Sequence, residues 1–528
     1  MESHQFYLKT NVQIEPLFNQ WYAHPLLIAP ATASMFLVNS HLNIMKSYVQ
    51  MPSAHAAALQ NPDMVGGPFI DYGGQRVGEI EDLVNQTQAR CADLITLGNS
   101  IKKLFKLLGD KAKGYPLLEL YKDIPAGING FVELGYDLDN HPSFRVIERL
   151  LYKSPYYRRD LQSIALTEIH SDDRSFIFST PRLKEEHIVH LPISFNDERI
   201  DFLSELKHNK KPYGEILEVL EVPKADEETF SSLLTTLPPA QPQTYAEENV
   251  RIRYFGHACV LLETKGTSVL TDPLMSYKYQ TELQRFTYED LPAVINYVVI
   301  THNHHDHIVF ETLLQLRKRI GHIIVPRNNG AFHDPSMKLI LENLGFRNVI
   351  ELDDLETLEI ENGSITAVPF FGEHCDLNIR SKSTYMIKLR GKSHLVCADS
   401  NSLSPEVYKN VRKMVGNVDK LFISLECKGS PMSWAYGALF PNQIDRKLDQ
   451  LRRANGSDSR AALQMIDIFS VKHVFLYAMG LEPWLNYFMA LQHGHTEDAS
   501  SETDKLLEVC SRQQVDAEKL FAKRELVH

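Results

Sequence analysis

The sequence predicts an α/β protein in which the C-terminal half packs two β-sheets face to face under helices, behind a mixed α/β N-terminal domain. Three observations carry that reading. Short β-branched and apolar runs recur between residues 250 and 477, separated by glycine turns and interspersed helical stretches. A proline-rich seam, Leu237-Pro-Pro-Ala-Gln-Pro-Gln243, precedes them and carries no apolar period. One of the runs, Asn296–Ile300, leads into His302-Asn-His-His-Asp-His307.

A chain of 528 residues exceeds what one core can serve. The seam places the boundary near residues 240 to 248, giving an N-terminal domain over 1–240 and a C-terminal domain over 249–528. In the first, Gly78–Leu108 reads as one long amphipathic helix, with Ile80, Leu83, Val84, Leu94, Leu97, Ile101 and Leu104 on its apolar side. Phe144–Tyr152 reads as a second helix, and Ser175–Phe178 and His187–Leu191 as strands. Gly66–Gly74 is glycine-rich but lacks a phosphate-loop lysine and the dinucleotide spacing, so it is a loop. Tyr156-Tyr-Arg-Arg159 reads as a solvated helix end.

In the second domain, Val250–Phe255, Cys259–Thr264 and Ser268–Thr271 are strands, with Gly256 and Lys265-Gly266 in the turns. Asp272-Pro273 closes the third. Further strands follow at Asn296–Ile300, Ile323–Val325, Ile365–Val368, Ser383–Leu389, His394–Cys397, Leu421–Leu425 and His473–Tyr477. Helices fit Pro335–Leu344 and Pro441–Ala454.

Composition narrows the function classes. Hydrophobic content of 43% and charged content of 23% suit a soluble globular protein. A formal net charge of −12 disfavours nucleic acid and acidic membranes as partners. No apolar run approaches the ~20 residues of a membrane helix. The N-terminus lacks a basic region followed by an apolar core, so no secretory signal is read there. Six cysteines without C-x-x-C spacing argue against a disulfide scaffold or a zinc ribbon and favour a reducing cytoplasm.

The chemistry is concentrated in the histidine cluster. Imidazole and carboxylate are ligands for first-row transition metals. His302 and His304 share a strand face by the period of two. Asp306 and His307 lie past the strand end and offer a second metal position. A histidine tract can also be a loose surface loop. This one abuts a hydrophobic strand and is followed by Ile308-Val-Phe310, which favours the metal site.

Three segments taken together resemble the metallo-β-lactamase fold: Gly256-His257 to Gly266, Val269-Leu-Thr-Asp-Pro273, and the His302 cluster. The resemblance covers about residues 250 to 480 and implies an αββα sandwich with one or two metals at one edge of its sheets. Leu395-Val-Cys-Ala-Asp399 is similar to the segment that supplies the bridging carboxylate, which maps onto Asp399. Phe370-Phe-Gly-Glu-His-Cys-Asp-Leu-Asn378 takes the place of the usual third histidine and presents two adjacent candidates, Glu373 and His374, whose side chains should diverge. Hydrolases of this fold have a last histidine beyond a late strand, whereas this chain reads Ala478-Met-Gly-Leu-Glu-Pro-Trp484 there. His473 precedes that strand and reads as structural or exposed. His493 and His495 read as surface.

That departure resembles the diiron β-hydroxylases, the family that includes the β-hydroxylase of chloramphenicol biosynthesis. The shared features are the large N-terminal domain with Ala29-Pro-Ala-Thr-Ala33, the Gly-Glu-His segment, the Ala-Asp pair, and Tyr-Ala-Met-Gly-x-Glu-Pro-Trp. The resemblance implies that a glutamate, Glu373, replaces a histidine as iron ligand. His302, His304 and Glu373 would hold one iron and Asp306 and His307 the other, with Asp399 as bridge. Glu373 and Asp399 are also the catalytic candidates. Harder carboxylate donors favour iron or manganese over a nitrogen- and sulfur-rich zinc site. Asp272 would support a ligand histidine, although an aspartate before proline is equally a turn residue. His257 reads as structural and His305 as facing away. Glu426, Trp434 and Tyr436 lie on a loop after a strand; the two aromatics could line a channel for a phosphopantetheine arm or simply pack.

The resemblance further implies a monooxygenase that hydroxylates the β-carbon of an amino acid held as a thioester on a nonribosomal peptide synthetase carrier domain. Its cofactor would be an oxo- or hydroxo-bridged pair of iron ions, with dioxygen as co-substrate and an external electron donor. The N-terminal domain would form a homodimer and shape access to the metal. The alternative is a dizinc hydrolase acting on a phosphodiester, lactone or amide. A non-enzymatic scaffold is a third reading, disfavoured by the number of ligand-type residues in place. No nucleophile elbow, Rossmann fingerprint or phosphate loop points elsewhere.

Overall fold

The computed structural model describes residues 4–61, 64–427, 429–489 and 496–528, the side chains of 496–499 excepted. His493 and His495 lie outside the described residues.

Two seven-stranded sheets form the C-terminal half. The first runs in the spatial order Val349–Leu352, Ile320–Pro326, Ile295–Val299, Thr267–Thr271, Cys259–Thr264, Arg251–Gly256, Arg524–Val527. The second runs Thr357–Ile360, Gly363–Val368, Thr384–Leu389, Lys392–Val396, Lys420–Ile423, His473–Leu476, Asp516–Lys519. Both are mixed sheets with a block of parallel strands. Strand Cys259–Thr264 shows why the sequence selects this layering. It is apolar on both faces and wholly buried, the mark of a strand covered on both sides. Its alternate residues separate accordingly. Val260 and Leu262 join the core between the sheets, with Ile365, Ile387 and Phe422. Leu261 faces outward to Leu313, Leu314 and Ile340 on the covering helices Phe310–Leu316 and Met337–Asn343. The second sheet is covered in the same way by Pro405–Val415 and Ser459–Phe469. The αββα expectation is met.

The N-terminal part combines a four-stranded sheet, Val12–Phe18 with Gln162–Glu168 at its centre, and a set of helices. Its core is continuous with the outer layer of the first sheet, since Leu8, Ile14, Leu97 and Phe195 belong to the same apolar cluster as Leu270 and Leu313. Residues 236–249 between the two parts have no helix or strand and are mostly exposed.

Four sequence expectations are corrected. The long helix is two, Val77–Arg90 and Ala92–Lys111. Arg158 donates to the Arg90 carbonyl at 2.8 Å, and Leu94 N–H turns to Asp93 Oδ1 instead, so Cys91 leaves helical geometry. Pro142–Val146 is a strand paired with Val132–Tyr136, and only Glu148–Tyr152 is helical. Phe144 and Val146 share a buried face, a period of two that overrides the helical reading. Ser175–Phe178 forms no strand; Phe178 instead packs its ring on His305 and His24. Within Pro441–Ala454 only Arg446–Leu451 is helical, started by Asp445, whose carboxylate accepts from Lys447 and Leu448 N–H.

Candidate metal centre

The predicted residues converge where the carboxyl ends of parallel strands from both sheets meet, the usual place for a ligand in such sheets. The first sheet delivers Asp272 just after Thr267–Thr271 and the 301–307 loop after Ile295–Val299. The second delivers Asp399 after Lys392–Val396 and Glu426 after Lys420–Ile423. The two edges are tied by the Ser383 N–H to Thr301 carbonyl bond at 2.7 Å and by Tyr385 Oη donating to the Ile300 carbonyl at 3.0 Å. Several of the delivering residues sit in left-handed backbone: His257 at φ 49°, Asp272 at 32°, Glu373 at 62°, Ala398 at 45° and Cys427 at 63°. Strain of this kind gathers at functional sites. Gly256, at φ 109°, allows the turn into His257, and a Cβ there would lie 2.6 Å from the Trp484 ring.

The cluster divides into overlapping groups: His257, Asp306 and His307; His302, His307 and Asp399; and Glu373, Asp399 and Glu426, each with ligand-type atoms within 4.8 Å of one another. His307 Nε2 lies 2.9 Å from Asp399 Oδ2 and 3.6 Å from Asp306 Oδ2. His302 Nε2 lies 3.6 Å from Asp399 Oδ2, and His304 Nδ1 lies 3.4 Å from Glu373 Oε1. Apart from the 2.9 Å His307–Asp399 pair, these separations are too long for hydrogen bonds and suit atoms that share an ion. Nε2 of His302, His307 and His374, Oε2 of Glu373 and Oδ1 of Asp399 are buried without a hydrogen-bond partner among the described residues. Buried polar atoms are otherwise nearly always satisfied, so this set fits a pair of metal ions.

The surrounding bonds fix which ring nitrogen faces the centre. Thr301 Oγ1 donates to Asp272 Oδ2 at 2.6 Å, so its lone pair is left for His302 Nδ1–H at 3.0 Å, and Nε2 turns inward as an acceptor. Asp272 Oδ2 also accepts from His307 Nδ1 at 2.9 Å, again presenting Nε2. His304 is turned the other way: its Nε2 meets Tyr436 Oη at 2.9 Å and its Nδ1 faces Glu373. His257 Nε2 holds Asp306 Oδ2 at 2.9 Å. Outer partners of this type set ligand tautomer and basicity.

Electrostatics agree with a cation-binding site. Burial keeps His302 well below the ordinary imidazole range and brings His304 to about 4, so both are neutral ligands. Burial opposes charge on His307 too, but Asp399 and Asp306 outweigh it and raise its pKa. Burial, then Asp399 and Asp306, push Glu373 well above the carboxylate range. Burial and the neighbouring Glu373 and Asp399 do the same to Glu426. A divalent ion relieves that crowding and displaces the His307 proton.

The structure brings together His302, His304, Asp306, His307, Glu373 and Asp399. Glu373 and His374 do not diverge as the sequence reading expected. Left-handed backbone at Glu373 breaks the alternation, and the His374 ring centroid stands 4.5 Å from that of His304. His305 faces away, 4.2 Å from the His24 ring. His473 is partly exposed and pairs with Asp516. Position 478, where a last histidine would stand, is an alanine whose N–H bonds the His257 carbonyl. Sequence reading underweighted Glu426 and His257. The signal for Glu426 was its place just past a buried strand, as with Asp399.

Residues 7–238 match the family model described as the diiron non-heme β-hydroxylase N-terminal domain, and residues 251–394 match a β-lactamase superfamily domain. The chain is 35% identical over 540 residues, 99% of either chain, to the 4-amino-L-phenylalanyl-[CmlP-peptidyl-carrier-protein] 3-hydroxylase of Streptomyces venezuelae. The chain belongs to the diiron non-heme β-hydroxylase family. In agreement, the crystal structure of CmlA, a diiron β-hydroxylase from Streptomyces venezuelae, superposes with a TM-score of 0.93 at 34% identity over 99% of both chains. A mutant of CmlA β-hydroxylase gives a TM-score of 0.91, again at 34% identity over 99% of both chains. Membership makes this chain a diiron oxygenase with a metallo-β-lactamase-fold domain and sets aside the dizinc hydrolase reading. Among the described residues no helix is long and apolar enough to cross a membrane.

Proposed function

We propose that this protein hydroxylates the β-carbon of an amino acid carried as a thioester on a nonribosomal peptide synthetase carrier domain. The relative acts on a carrier-bound amino acid, and the likeness extends over both domains. The observation that carries the metal assignment is the carboxylate Glu373 in the place of a histidine, with its Oε2 and the Nε2 atoms of His302 and His374 buried without a hydrogen-bond partner among the described residues. His302, His304 and Glu373 would hold one iron and Asp306 and His307 the other, with Asp399, which lies within reach of both groups, shared between them. When bound, the iron pair supplies reductive activation of dioxygen and hydroxylation of an unactivated C–H bond.

The chain's own residues do the rest. Asp272 keeps a proton on His307 Nδ1 and, through Thr301, on His302 Nδ1, so both rings present Nε2. Tyr436 orients His304, and His257 holds Asp306 in place. Burial of the centre excludes water from it.

The domain limits we assign are 1–240 and 249–528. The N-terminal domain forms a homodimer and shapes access to the metal, an external donor supplies electrons, and the enzyme works in the cytoplasm. Metal analysis with Mössbauer spectroscopy on protein from iron-supplied cells tests the assignment. About two irons per chain in an antiferromagnetically coupled pair is expected; zinc in both positions under iron supply overturns it. A monomer in light scattering with full activity removes the dimer.

A further inference from the structure

The surface over the carboxylate side of the metal centre combines exposed basic and apolar side chains. The helix Arg446–Leu451 and the residues after it read Arg446-Lys-Leu-Asp-Gln-Leu-Arg-Arg453. Arg446 and Lys447 are exposed. Arg452 donates to the Cys375 carbonyl at 2.7 and 3.0 Å, and Arg453 to the Gly429 carbonyl at 3.0 Å and to Gln450. None of those acceptors is a carboxylate. The two acids of the segment are engaged locally: Asp445 caps its helix, and Asp449 accepts from Ser433 N–H and Oγ. Arg446 and Lys447 are therefore exposed, and the half-buried Arg453 beside them bonds no carboxylate, in a protein of net charge −12.

Large apolar side chains stand among them. Leu451 is 73% exposed, Leu448 43%, and Trp434 on the adjoining helix Met432–Tyr436 is 47% exposed. Exposed apolar groups rimmed by charge mark interaction sites. This surface is also next to the metal centre. Gly429 N–H bonds the Ala454 carbonyl. A Cβ on Gly429 would lie 3.3 Å from Glu426 Oε1 and 3.7 Å from Glu373 Oε1. Two residues along the Met432–Tyr436 helix from Trp434, Tyr436 reaches His304.

We propose that the face carrying Arg446, Lys447, Leu448, Leu451, Arg453 and Trp434 is where the carrier domain docks, its cations meeting the phosphodiester of the phosphopantetheine arm. The inference rests on the carrier-bound reading above. A phosphodiester is the fixed negative charge that every loaded carrier domain brings to the enzyme. In a chain of net charge −12, an exposed basic face beside the metal centre favours approach of that charge there. The apolar side chains contribute contact area once the charges have aligned the partner.

The test compares the diiron enzyme with its Arg446→Glu/Lys447→Glu variant, and with Lys409→Glu/Lys413→Glu, which reverses as much charge on the exposed side of Pro405–Val415. One probe is a fluorescently labelled phosphopantetheinylated carrier domain, followed by anisotropy. The second pair is 4-amino-L-phenylalanyl carrier domain against 4-amino-L-phenylalanyl pantetheine, which has neither phosphate nor domain. We expect the first variant to bind the carrier domain about tenfold more weakly with a flatter salt dependence, and its preference in kcat/KM for the carrier-bound substrate to fall by about the same factor. The control pair should change neither. Equal losses in both variants, unchanged binding in the first, or no binding by the parent enzyme overturns the docking face. A shift from dimer to monomer in sedimentation of the first variant, with carrier binding intact, reassigns the face to a second copy of the chain. Failure of the functional reading itself is separate, because it shows as zinc in place of iron in the parent protein before any carrier domain is added.

Discussion

The metal centre has an imidazole side and a carboxylate side, and the two are built differently. The first sheet contributes His302, His304, Asp306 and His307 from one six-residue loop, braced by Asp272, Thr301 and His257 through bonds of 2.6–3.0 Å. The second sheet contributes Glu373, Asp399 and Glu426 from three separate loops. Their carboxylates repel one another, and burial and mutual charge raise the pKa of both Glu373 and Glu426. The imidazole side is therefore preformed by its neighbours, whereas the carboxylate side would depend on a bound cation to relieve its mutual repulsion. This difference predicts that substitutions on the carboxylate side act through the metal's identity, and those on the imidazole side through its affinity.

The largest expected effect comes from Glu373. Glu373→Ala should lose iron and more than about a hundredfold in activity, beyond the ~10–100-fold cost of losing an outer partner. His374→Ala should lose less, since the Glu373 carboxylate remains. Glu373→His sharpens the point: a nitrogen donor there should raise the zinc-to-iron ratio in protein from iron-supplied cells. Equal iron in Glu373→Ala and the parent would remove Glu373 from the ligand set.

The same contrast explains what was legible in the sequence. The imidazole side could be read because its ligands are contiguous and follow a buried strand; the shared strand face expected for His302 and His304 does not form, because the strand ends at Val299 and the loop after it brings the two rings to 4.6 Å between centroids. The αββα layering was likewise visible, in strands such as Cys259–Thr264 that are apolar on both faces. The carboxylate side is assembled by topology, and Glu426 is an unremarkable loop glutamate until strand order sets it beside Asp399. Extended backbone would set Glu373 and His374 on opposite sides, whereas φ of 62° at Glu373 lets both face inward. The break at Cys91 depends on Arg158, 67 residues away in a different element, which no local pattern contains.

On the imidazole side, Asp272→Asn keeps the shape but loses the charge that holds the His307 Nδ1 proton. Metal affinity should fall about 10–100-fold, measured as faster iron loss to a chelator, with the iron-to-zinc preference unchanged. A changed preference would blur the division between the two sides. Tyr436→Phe removes one hydrogen bond to His304 Nε2. At ~1 kcal/mol for such a bond, iron affinity should fall about fivefold, with secondary structure by circular dichroism intact.

The effect farthest from the metal concerns how the N-terminal domain props the carboxylate side. Glu148 accepts from Ser336 N–H at 3.1 Å and from Asn328 Nδ2 at 3.2 Å. Those residues flank Asp334, which in turn holds Arg380 and Ser381 N–H, just beyond Glu373 and His374. Burial, and more weakly Asp334 and Glu351, bring the Glu148 carboxyl to about 7 from 4.5, against the hydrogen bonds that favour its charge. An acid whose pKa is raised on folding binds more protons folded than unfolded between those values. Its protonation thus contributes stability that is complete below about 4.5 and lost as pH rises through 7. Glu148→Gln removes this dependence. The parent should lose about 1–3 kcal/mol relative to the variant between pH 4.5 and 8, read as a shrinking difference in Tm or its reversal. Protection against hydrogen exchange, relative to the intrinsic rate at each pH, should fall over the same interval in residues 328–336 and 372–381, and not in 301–307, whose supports come from Asp272 and His257. If the loop of 301–307 loosens in step, the two sides share one support, and the separate bracing argued for the imidazole side is wrong.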